Sequence, residues 1–436
     1  MGQPTPGRIA YVNARLLDPA SGLDAQGGVL TDGETIVDFG PALVNDGDLG
    51  GDTEVFDCKG HCLGPGLVDM RMQLREPGYE HKETLENAGE AAVAGGITSM
   101  VCLPNTQPVI DDAATLEFVA RRARLLGLAK VYPYGAVTKG LHGKELAEMG
   151  MLAKAGALGF TDGTRAVADA QVLRRALSYA ATFDLLIVQH PEEPSLAQDG
   201  VVNEGEMATR LGLSGTPACA EAILLARDVR LAELTQARYH AAHLSTAEGI
   251  EVVRRAKARG VRVTCDTAPF YFALNESAVG DYRTFAKLSP PLRSEEDRQA
   301  VVLGIKGGGI DAIASDHSPQ DQDSQRRPFA QAAFGGIGLE TLLPVTLELF
   351  HNGQLSLLQA LRLVTSAPAD LLGLTAGRLR KGGAADLVIF DPVRVWKVVA
   401  DDLVGKSGNS PFDGRLVRGR VIRTVVDGRP VFAASD

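Results

Sequence analysis

Four side chains able to bind a metal or transfer a proton stand at the predicted ends of apolar, strand-like segments. His190 closes Leu-Leu-Ile-Val-Gln-His, His243 closes a segment that begins at Tyr239, Asp162 follows Leu-Gly-Phe-Thr, and Asp316 follows Ile-Ala-Ser. If these segments are parallel strands of one barrel, their carboxyl ends meet at one mouth, where such barrels keep their functional groups. Imidazole and carboxylate groups bind divalent metals. The four residues therefore form a candidate site for one divalent metal, with zinc favoured.

A further strand-like segment, Gly66–Leu74, ends in different chemistry. Arg71 and Gln73 are two residues apart, so their side chains point to the same side of a strand. Arginine keeps its positive charge in proteins, and its planar guanidinium matches a carboxylate. Without a metal, Asp316 would be a carboxylate in a confined pocket, and an uncompensated buried charge is costly. We therefore predict that Arg71 pairs with Asp316.

The elements that position these residues alternate between apolar runs and segments with helical periodicity. Eight strands, each followed by a helix or a long loop, predict a closed (β/α)8 barrel over residues 66–370. A doubly wound open sheet is the alternative, but no glycine-rich phosphate loop follows any strand. Residues 1–65 and 371–436 have short alternating strands with turns. These terminal segments predict one small β domain built from both ends of the chain. The predicted barrel strands are 66–74, 97–103, 131–137, 157–161, 185–190, 239–243, 261–266 and 310–316.

Composition excludes some classes of function. The net charge is −10 over 436 residues, so there is no basic surface of the kind that binds nucleic acid. No uncharged apolar run reaches the roughly 18 residues of a membrane span. The first residues lack an apolar signal region. These features predict a cytoplasmic protein with no membrane and no nucleic-acid partner.

Several motifs together resemble the dihydroorotase family of the amidohydrolase superfamily. The resemblance covers nearly the whole chain. Its motifs are Leu74-Arg-Glu-Pro-Gly78, Leu103-Pro-Asn-Thr-Gln-Pro108, Val202-Asn-Glu-Gly-Glu206, His243-Leu-Ser-Thr246, Leu288-Ser-Pro-Pro-Leu-Arg293, Ser315-Asp-His-Ser-Pro319 and Gly336-Ile-Gly-Leu-Glu-Thr341. The resemblance implies hydrolysis or closure of a cyclic amide in pyrimidine biosynthesis. In that reaction a metal-bound hydroxide attacks the ring carbonyl and a carboxylate moves the proton.

The same resemblance implies roles for individual residues. Asp316 matches the catalytic carboxylate, and His190 and His243 match ligands of the second metal position. Arg75 and Asn105 match the groups that hold the substrate carboxylate. The remaining matched substrate-binding positions are Ser289, Phe334 and Gly335.

Five departures from the family pattern fall at metal or substrate positions. Arg71 and Gln73 stand where the family carries paired metal-binding histidines, so Arg71 puts a permanent cation where a metal would lie. Phe270 replaces a histidine after Pro269. Ser289 replaces an asparagine, and Gln320 replaces another histidine. The departures favour loss of catalysis.

Two hypotheses follow. The first is a catalytically inactive dihydroorotase homologue that acts as a structural or regulatory partner of aspartate transcarbamoylase, as non-catalytic family members do, and that forms a homo-oligomer. It binds no metal at the strand-one position. The second is an active dihydroorotase with a single metal on His190, His243, Asp162 and Asp316. A leucine-rich helical segment, residues 356–374, is expected to pack against the barrel.

Overall fold

The computed structural model describes residues 7–43 and 52–434. The strands of these ranges are β1 (Arg8–Asp18), β2 (Leu23–Asp32), β3 (Thr35–Gly40), β4 (Glu54–Asp57), β5 (Cys62–Pro65), β6 (Leu67–Met72), β7 (Ile97–Cys102), β8 (Lys130–Pro133), β9 (Leu186–Gln189), β10 (Val202–Asn203), β11 (Gly215–Thr216), β12 (Arg238–Ala241), β13 (Val263–Thr267), β14 (Ala312–Ile313), β15 (Leu387–Lys397), β16 (Leu416–Val426) and β17 (Arg429–Ala433).

The α-helices alternate with the middle strands and follow the last of them. They are α1 (Leu85–Ala94), α2 (Ala113–Leu126), α3 (Met149–Lys154), α4 (Ala170–Thr182), α5 (Pro194–Ala197), α6 (Glu206–Leu211), α7 (Cys219–Thr235), α8 (Ala247–Ala258), α9 (Pro269–Ala273), α10 (Glu295–Lys306), α11 (Gln322–Gln325), α12 (Leu342–His351), α13 (Leu357–Arg362) and α14 (Ser366–Leu372). Among the described residues, no helix is both long enough and apolar enough to span a bilayer.

The middle of the chain forms a closed parallel barrel. Strands β6, β7 and β8 pair in parallel, as do β9, β12, β13 and β14. Phe160 joins the two groups by bridging Gly135 and Ile187, and a parallel bridge between Met72 and His317 connects the first strand to the end of the last. The predicted barrel is confirmed, and the open-sheet alternative is wrong because the two edges meet.

All eight barrel strands are shorter than the sequence predicts, the fourth and the eighth most clearly. Within residues 157–161 only the single bridge at Phe160 forms, and the eighth strand is reduced to Ala312–Ile313. The last strand stops early because the chain turns at Asp316, whose φ is 49°. A positive φ is incompatible with an extended strand. Asp316 therefore stands on a turn beyond its strand.

The two terminal segments share one sheet in the order β17-β16-β15-β5-β1-β2-β3, with β4 pairing with β1. Strand β5 is the link, since it pairs with β1 on one side and β15 on the other. The small β domain built from both ends is therefore confirmed. The boundaries of the ranges 1–65, 66–370 and 371–436 stay predictions, and residues 1–6, 44–51 and 435–436 lie outside the described part.

The helices begin at side-chain caps that the sequence supplies. Thr84 caps α1, Asp112 caps α2 and Ser294 caps α10, each accepting a hydrogen bond from a backbone N–H in the first turn. The predicted leucine-rich segment is divided into α13 and α14. Its side chains pack inward as expected, since Leu357, Leu361 and Leu372 are buried.

Candidate functional site

A cavity of about 260 Å³ opens at the carboxyl ends of the barrel strands. Ten of the residues singled out in the sequence contribute to its wall: Arg71, Gln73, Arg75, Asn105, Phe270, Ser289, Asp316, Gln320, Phe334 and Gly335. The structure thus brings together the matched substrate-binding positions and all of the departures from the family pattern. His190, His243 and Asp162 are not among the residues that line this cavity.

Arg71 and Asp316 form the ion pair predicted from the sequence. Arg71 Nε donates to Asp316 Oδ1 at 2.9 Å, and Nη2 donates to the Gly163 carbonyl at 3.2 Å. The Arg71 side chain is 2% exposed and that of Asp316 is 12% exposed. Burial raises the pKa of Asp316 to about 6, although the neighbouring guanidinium acts in the opposite direction. The prediction of this pair is confirmed.

The two histidines contact each other. His190 Nδ1 lies 3.0 Å from His243 Nε2, and the rings are stacked. His190 Nε2 lies 3.3 Å from Glu192 Oε2, while His243 Nδ1 lies 3.5 Å from Asp316 Oδ2. Burial lowers the pKa of His243 well below its usual value, and the charges of Arg71 and His190 lower it further. The His243 ring is therefore neutral near pH 7.

Asp162 does not join the histidines. Its Oδ1 accepts hydrogen bonds from the backbone N–H groups of Val137 and Thr138, and its Oδ2 accepts one from the Thr138 hydroxyl. Within the described ranges, no three His, Cys, Asp or Glu side chains are grouped so that they could hold a metal. Asp162 thus fixes the turn after β8, and the convergence of His190, His243, Asp162 and Asp316 on one ion stays a prediction.

A divalent metal fits this arrangement only in part. Two ring nitrogens 3.0 Å apart are close to the separation of roughly 3.3 Å that two nitrogen ligands span around tetrahedral zinc. A catalytic zinc usually has about three protein ligands, however. The next carboxylate, Asp316, is already bound by the Arg71 guanidinium, whose charge opposes a second cation. The residues do not fit a three-ligand metal site.

A second hydrogen-bonded group lies just beyond the carboxyl end of strand β6. Asn105 Nδ2 donates to Gln73 Oε1 at 2.9 Å, and Gln73 Nε2 donates to Ser318 Oγ at 2.9 Å. Arg75 Nη2 donates to the same Ser318 Oγ at 3.2 Å, and its Nε donates to the Pro319 carbonyl at 3.1 Å. Burial lowers the pKa of Arg75 to about 10. Gln73 thus connects the two residues that the resemblance assigns to a substrate carboxylate.

The sequence motifs include Ser318 but do not mark it as functional. Its position directly after Asp316 and His317, at the end of a barrel strand, is the signal that could have identified it. The structure places Ser318 in the cavity wall. Asn409 holds this wall from the C-terminal segment, since its Nδ2 donates to the carbonyls of Ser318 and Gly335 at 3.1 and 2.9 Å. Nothing in the sequence pattern indicates this long-range contact.

Three residues of the site have left-handed backbone conformations. The φ angles are 66° at Arg75, 41° at His243 and 49° at Asp316. Each such residue costs on the order of 1–3 kcal/mol and persists only where its surroundings impose it. His243 illustrates this constraint, because its backbone N–H donates to buried Asp266 at 2.7 Å. His240 is buried and pairs with the same carboxylate.

Comparisons with known proteins point to one family. A family model described as dihydro-orotase-like matches residues 60–249. A dihydroorotase of Anaplasma phagocytophilum is 46% identical over 98% of this chain and 95% of its own length. A dihydroorotase of Syntrophotalea carbinolica is also 46% identical, over 98% of this chain and all of its own length.

This chain belongs to the dihydroorotase family. Solved structures similar to this dihydroorotase-family chain include an L-hydantoinase (dihydropyrimidinase) from Arthrobacter aurescens, with a TM-score of 0.87, 24% identity and coverage of 98% of this chain and 96% of that one. A dihydropyrimidinase from Brevibacillus agri has a TM-score of 0.81 and 22% identity, covering 98% of this chain and 95% of its own. At these identities the two structures support the fold alone: a (β/α)8 barrel with an attached β domain.

Proposed function

We propose that this dihydroorotase-family protein retains the ligand cavity of its relatives but does not hydrolyse a cyclic amide through a metal. The observation that carries the proposal is the 2.9 Å contact between Arg71 Nε and Asp316 Oδ1. By the family resemblance, strand-one metal ligands stand where Arg71 stands, and Asp316 is the carboxylate that moves the proton. Arg71 therefore stands at the position of a metal ligand, where its positive charge opposes a metal ion. Its guanidinium also binds Asp316, the carboxylate that would otherwise accept the proton.

The persistence of the cavity supports a binding function. The hydrogen-bonded chain from Asn105 through Gln73 to Ser318 and Arg75 is complete. Strained backbone is maintained at Arg75, and such strain is typical of functional sites.

A second candidate is an active dihydroorotase with a single metal on the two histidines. It is supported by the spacing of His190 Nδ1 and His243 Nε2. The names of the curated relatives support this candidate more directly than they support the first, because those proteins are called dihydroorotases. Glu192, at 3.3 Å from His190 Nε2, would orient that ring.

One assay separates the two candidates. Dihydroorotate hydrolysis is measured with the purified chain, with and without added zinc, beside Asp316→Asn as the matched control. The proposal expects the unmodified chain and the variant to be equally inactive. Turnover by the unmodified chain that falls at least about 100-fold in Asp316→Asn, as loss of a general acid–base residue predicts, would establish the active enzyme instead. Elemental analysis of the same preparation measures bound metal.

For the partner, we propose a structural or regulatory association with aspartate transcarbamoylase. The family resemblance alone supports this proposal, together with the proposal that the chain is a homo-oligomer. The leucine-rich segment at α13 and α14 offers no free surface for it, since Leu357 and Leu361 are buried. Size-exclusion chromatography of the purified chain, alone and mixed with the aspartate transcarbamoylase of the same cell, tests both. Elution as a monomer that does not shift on mixing would contradict them.

A further inference from the structure

Residues 321–333, here called the flap, form a loop whose two ends are held together beside the cavity. The Gln320 backbone N–H donates to Asn409 Oδ1 at 3.1 Å, and Asn409 Nδ2 donates to the Gly335 carbonyl at 2.9 Å. A compact loop of roughly 6–16 residues with neighbouring ends is an Ω-loop, a type that is frequently functional. Gln320 and Gly335, on either side of the flap, both line the cavity.

The backbone–backbone hydrogen bonds of the flap stay inside it. Its first residue, Asp321, caps the short helix α11 by accepting from the Ser324 N–H. The Ala333 N–H donates to the Ser324 carbonyl at 3.2 Å, and Gln325 Nε2 donates to the Ala333 carbonyl at 3.0 Å. The two halves of the flap are therefore tied to each other, and the flap can move as one body.

A single side chain connects the flap to the barrel by hydrogen bonds. Lys287 Nζ donates to three flap carbonyls, at 2.8, 3.0 and 2.8 Å, which belong to Phe329, Ala330 and Ala332. Among the described residues, no other hydrogen bond joins residues 321–333 to the remainder of the chain. An ammonium group has three protons, so this contact uses all of them.

Apolar packing adds little to this connection. Phe329 and Ala332 are 3% and 4% exposed, whereas the middle of the flap around Arg326 and Arg327 is exposed. A segment with few buried apolar contacts belongs to the low-stability end of a protein, which opens locally while the remainder stays folded.

Lys287 can release the flap as well as hold it. Its side chain is buried, and its hydrogen bonds go to carbonyl oxygens instead of a carboxylate. Keeping a cation out of water without a counter-ion is unfavourable. Opening the flap breaks three hydrogen bonds, but it returns the ammonium and the carbonyls to water. Because these effects oppose each other, opening costs less than unfolding the barrel.

We propose that residues 321–333 open and close at the mouth of the barrel as a flap, with Lys287 as the releasable anchor, while the barrel stays folded. Phe334 directly follows the flap and lies in the cavity wall, where its ring centroid is 4.4 Å from Lys287 Nζ. Each opening therefore moves that side of the wall. This motion is independent of the proposed function, since it occurs whether or not the cavity carries out hydrolysis.

Thiol labelling of the full chain tests the flap. Ala332→Cys is introduced in a Cys219→Ser background, because Cys219 is exposed while Cys102 and Cys265 of the barrel strands are buried. Reaction with N-ethylmaleimide is followed by mass spectrometry. The thiol at position 332 should react at least about 100-fold faster than Cys102 and Cys265, which become accessible only when the barrel itself opens. Equal rates at the three positions would overturn the flap.

Substitution of Lys287 tests the anchor. Lys287→Met leaves buried carbonyls without a donor in the closed flap, so labelling at position 332 should accelerate at least about tenfold while Cys102 and Cys265 stay protected. Lys287→Gln, which keeps donor N–H groups, should have a smaller effect in the same direction, and Lys287→Arg should restore part of the protection. An unchanged rate at position 332 in Lys287→Gln and in Lys287→Met would overturn the assignment of the anchor.

A second lysine supplies the matched control. Lys257 Nζ also donates to a backbone carbonyl, that of Gly309, at 2.8 Å. Lys257→Met should change labelling at position 332 by less than about twofold, because distant sites act independently. Acceleration in Lys257→Met as large as in Lys287→Met would show a general loss of stability and would overturn the role of Lys287. Circular dichroism establishes that each variant is folded.

Discussion

Arg71 and Asp316 are 245 positions apart in the sequence and meet at the mouth of the barrel with a 2.9 Å hydrogen bond. Both charges are largely removed from water, so each depends on the other for compensation. The contribution of the pair to stability is measured by substituting the two residues singly and together.

Removing one partner of this pair should therefore be destabilising. Arg71→Gln is expected to lower the free energy of unfolding by about 3–5 kcal/mol, because it leaves a buried carboxylate uncompensated. The double variant Arg71→Gln with Asp316→Asn should recover part of that loss. Urea denaturation of the four proteins of the cycle measures this. The exposed pair Arg124–Glu117 is the control, since Arg124→Gln should cost less than about 1 kcal/mol. Strict additivity at 71 and 316 would contradict the coupling.

The sequence predicts residues of this site to different degrees. The pairing of Arg71 with Asp316 could be predicted because charge complementarity follows from residue type. The position of the Asp162 side chain could not be predicted, because its hydrogen bonds to the backbone of Val137 and Thr138 depend on a turn that forms only in the folded barrel. The Asn409 contacts could not be predicted either, because Ser318 and Gly335 lie 91 and 74 residues before Asn409 in the sequence.

At the scale of elements, the local sequence marks where helices begin better than it marks the extent of strands. Side-chain caps at Asp112 and Ser294 define the starts of α2 and α10. The strand-like runs were too long, since apolar residues continue beyond the last ladder hydrogen bond. Phe160 forms the whole fourth strand as a single bridge on each side. Pairing partners, which the local sequence does not contain, set the length of a strand.

A buried acid directly before the N-cap of α1 should make stability depend on pH. Glu83 is fully buried, and burial raises its pKa to about 7 from an ordinary value of 4.5. The folded state then holds a proton that the unfolded state releases, so the free energy of unfolding falls as pH rises from about 4.5 to above 7. A shift of this size corresponds to at most about 3 kcal/mol.

Glu83→Gln should remove this dependence. Urea denaturation measures the free energy of unfolding of both proteins. The value for Glu83→Gln minus the value for the unmodified protein should increase from pH 5.5 to pH 7.5. Glu86→Gln, in the exposed first turn of the same helix, is the matched control and should behave like the unmodified chain. A difference that is constant over this pH range would contradict the assignment.

At the scale of the whole molecule, the barrel and the terminal sheet share one hydrophobic core. Val388 and Phe390 of β15 and Val417 and Val421 of β16 belong to the same buried cluster as Leu342 and other barrel residues. Thr424 of β16 also donates a hydrogen bond to the Val93 carbonyl of α1. The sheet therefore acts as one wall of the barrel's core.

This shared core predicts that the barrel segment does not fold when it is excised. A chain of residues 66–370 would expose the apolar faces of α1 and α12 that β16 covers, and it would lose Asn409, which fixes Ser318 and Gly335 in the cavity wall. We expect it to be insoluble or to unfold without a cooperative transition, because a large exposed apolar surface favours aggregation. Expression of 66–370 beside the full chain, followed by thermal unfolding monitored by circular dichroism, measures this. A soluble 66–370 protein with a cooperative transition would show that the predicted boundaries enclose an independent domain. The barrel would then fold without the terminal sheet.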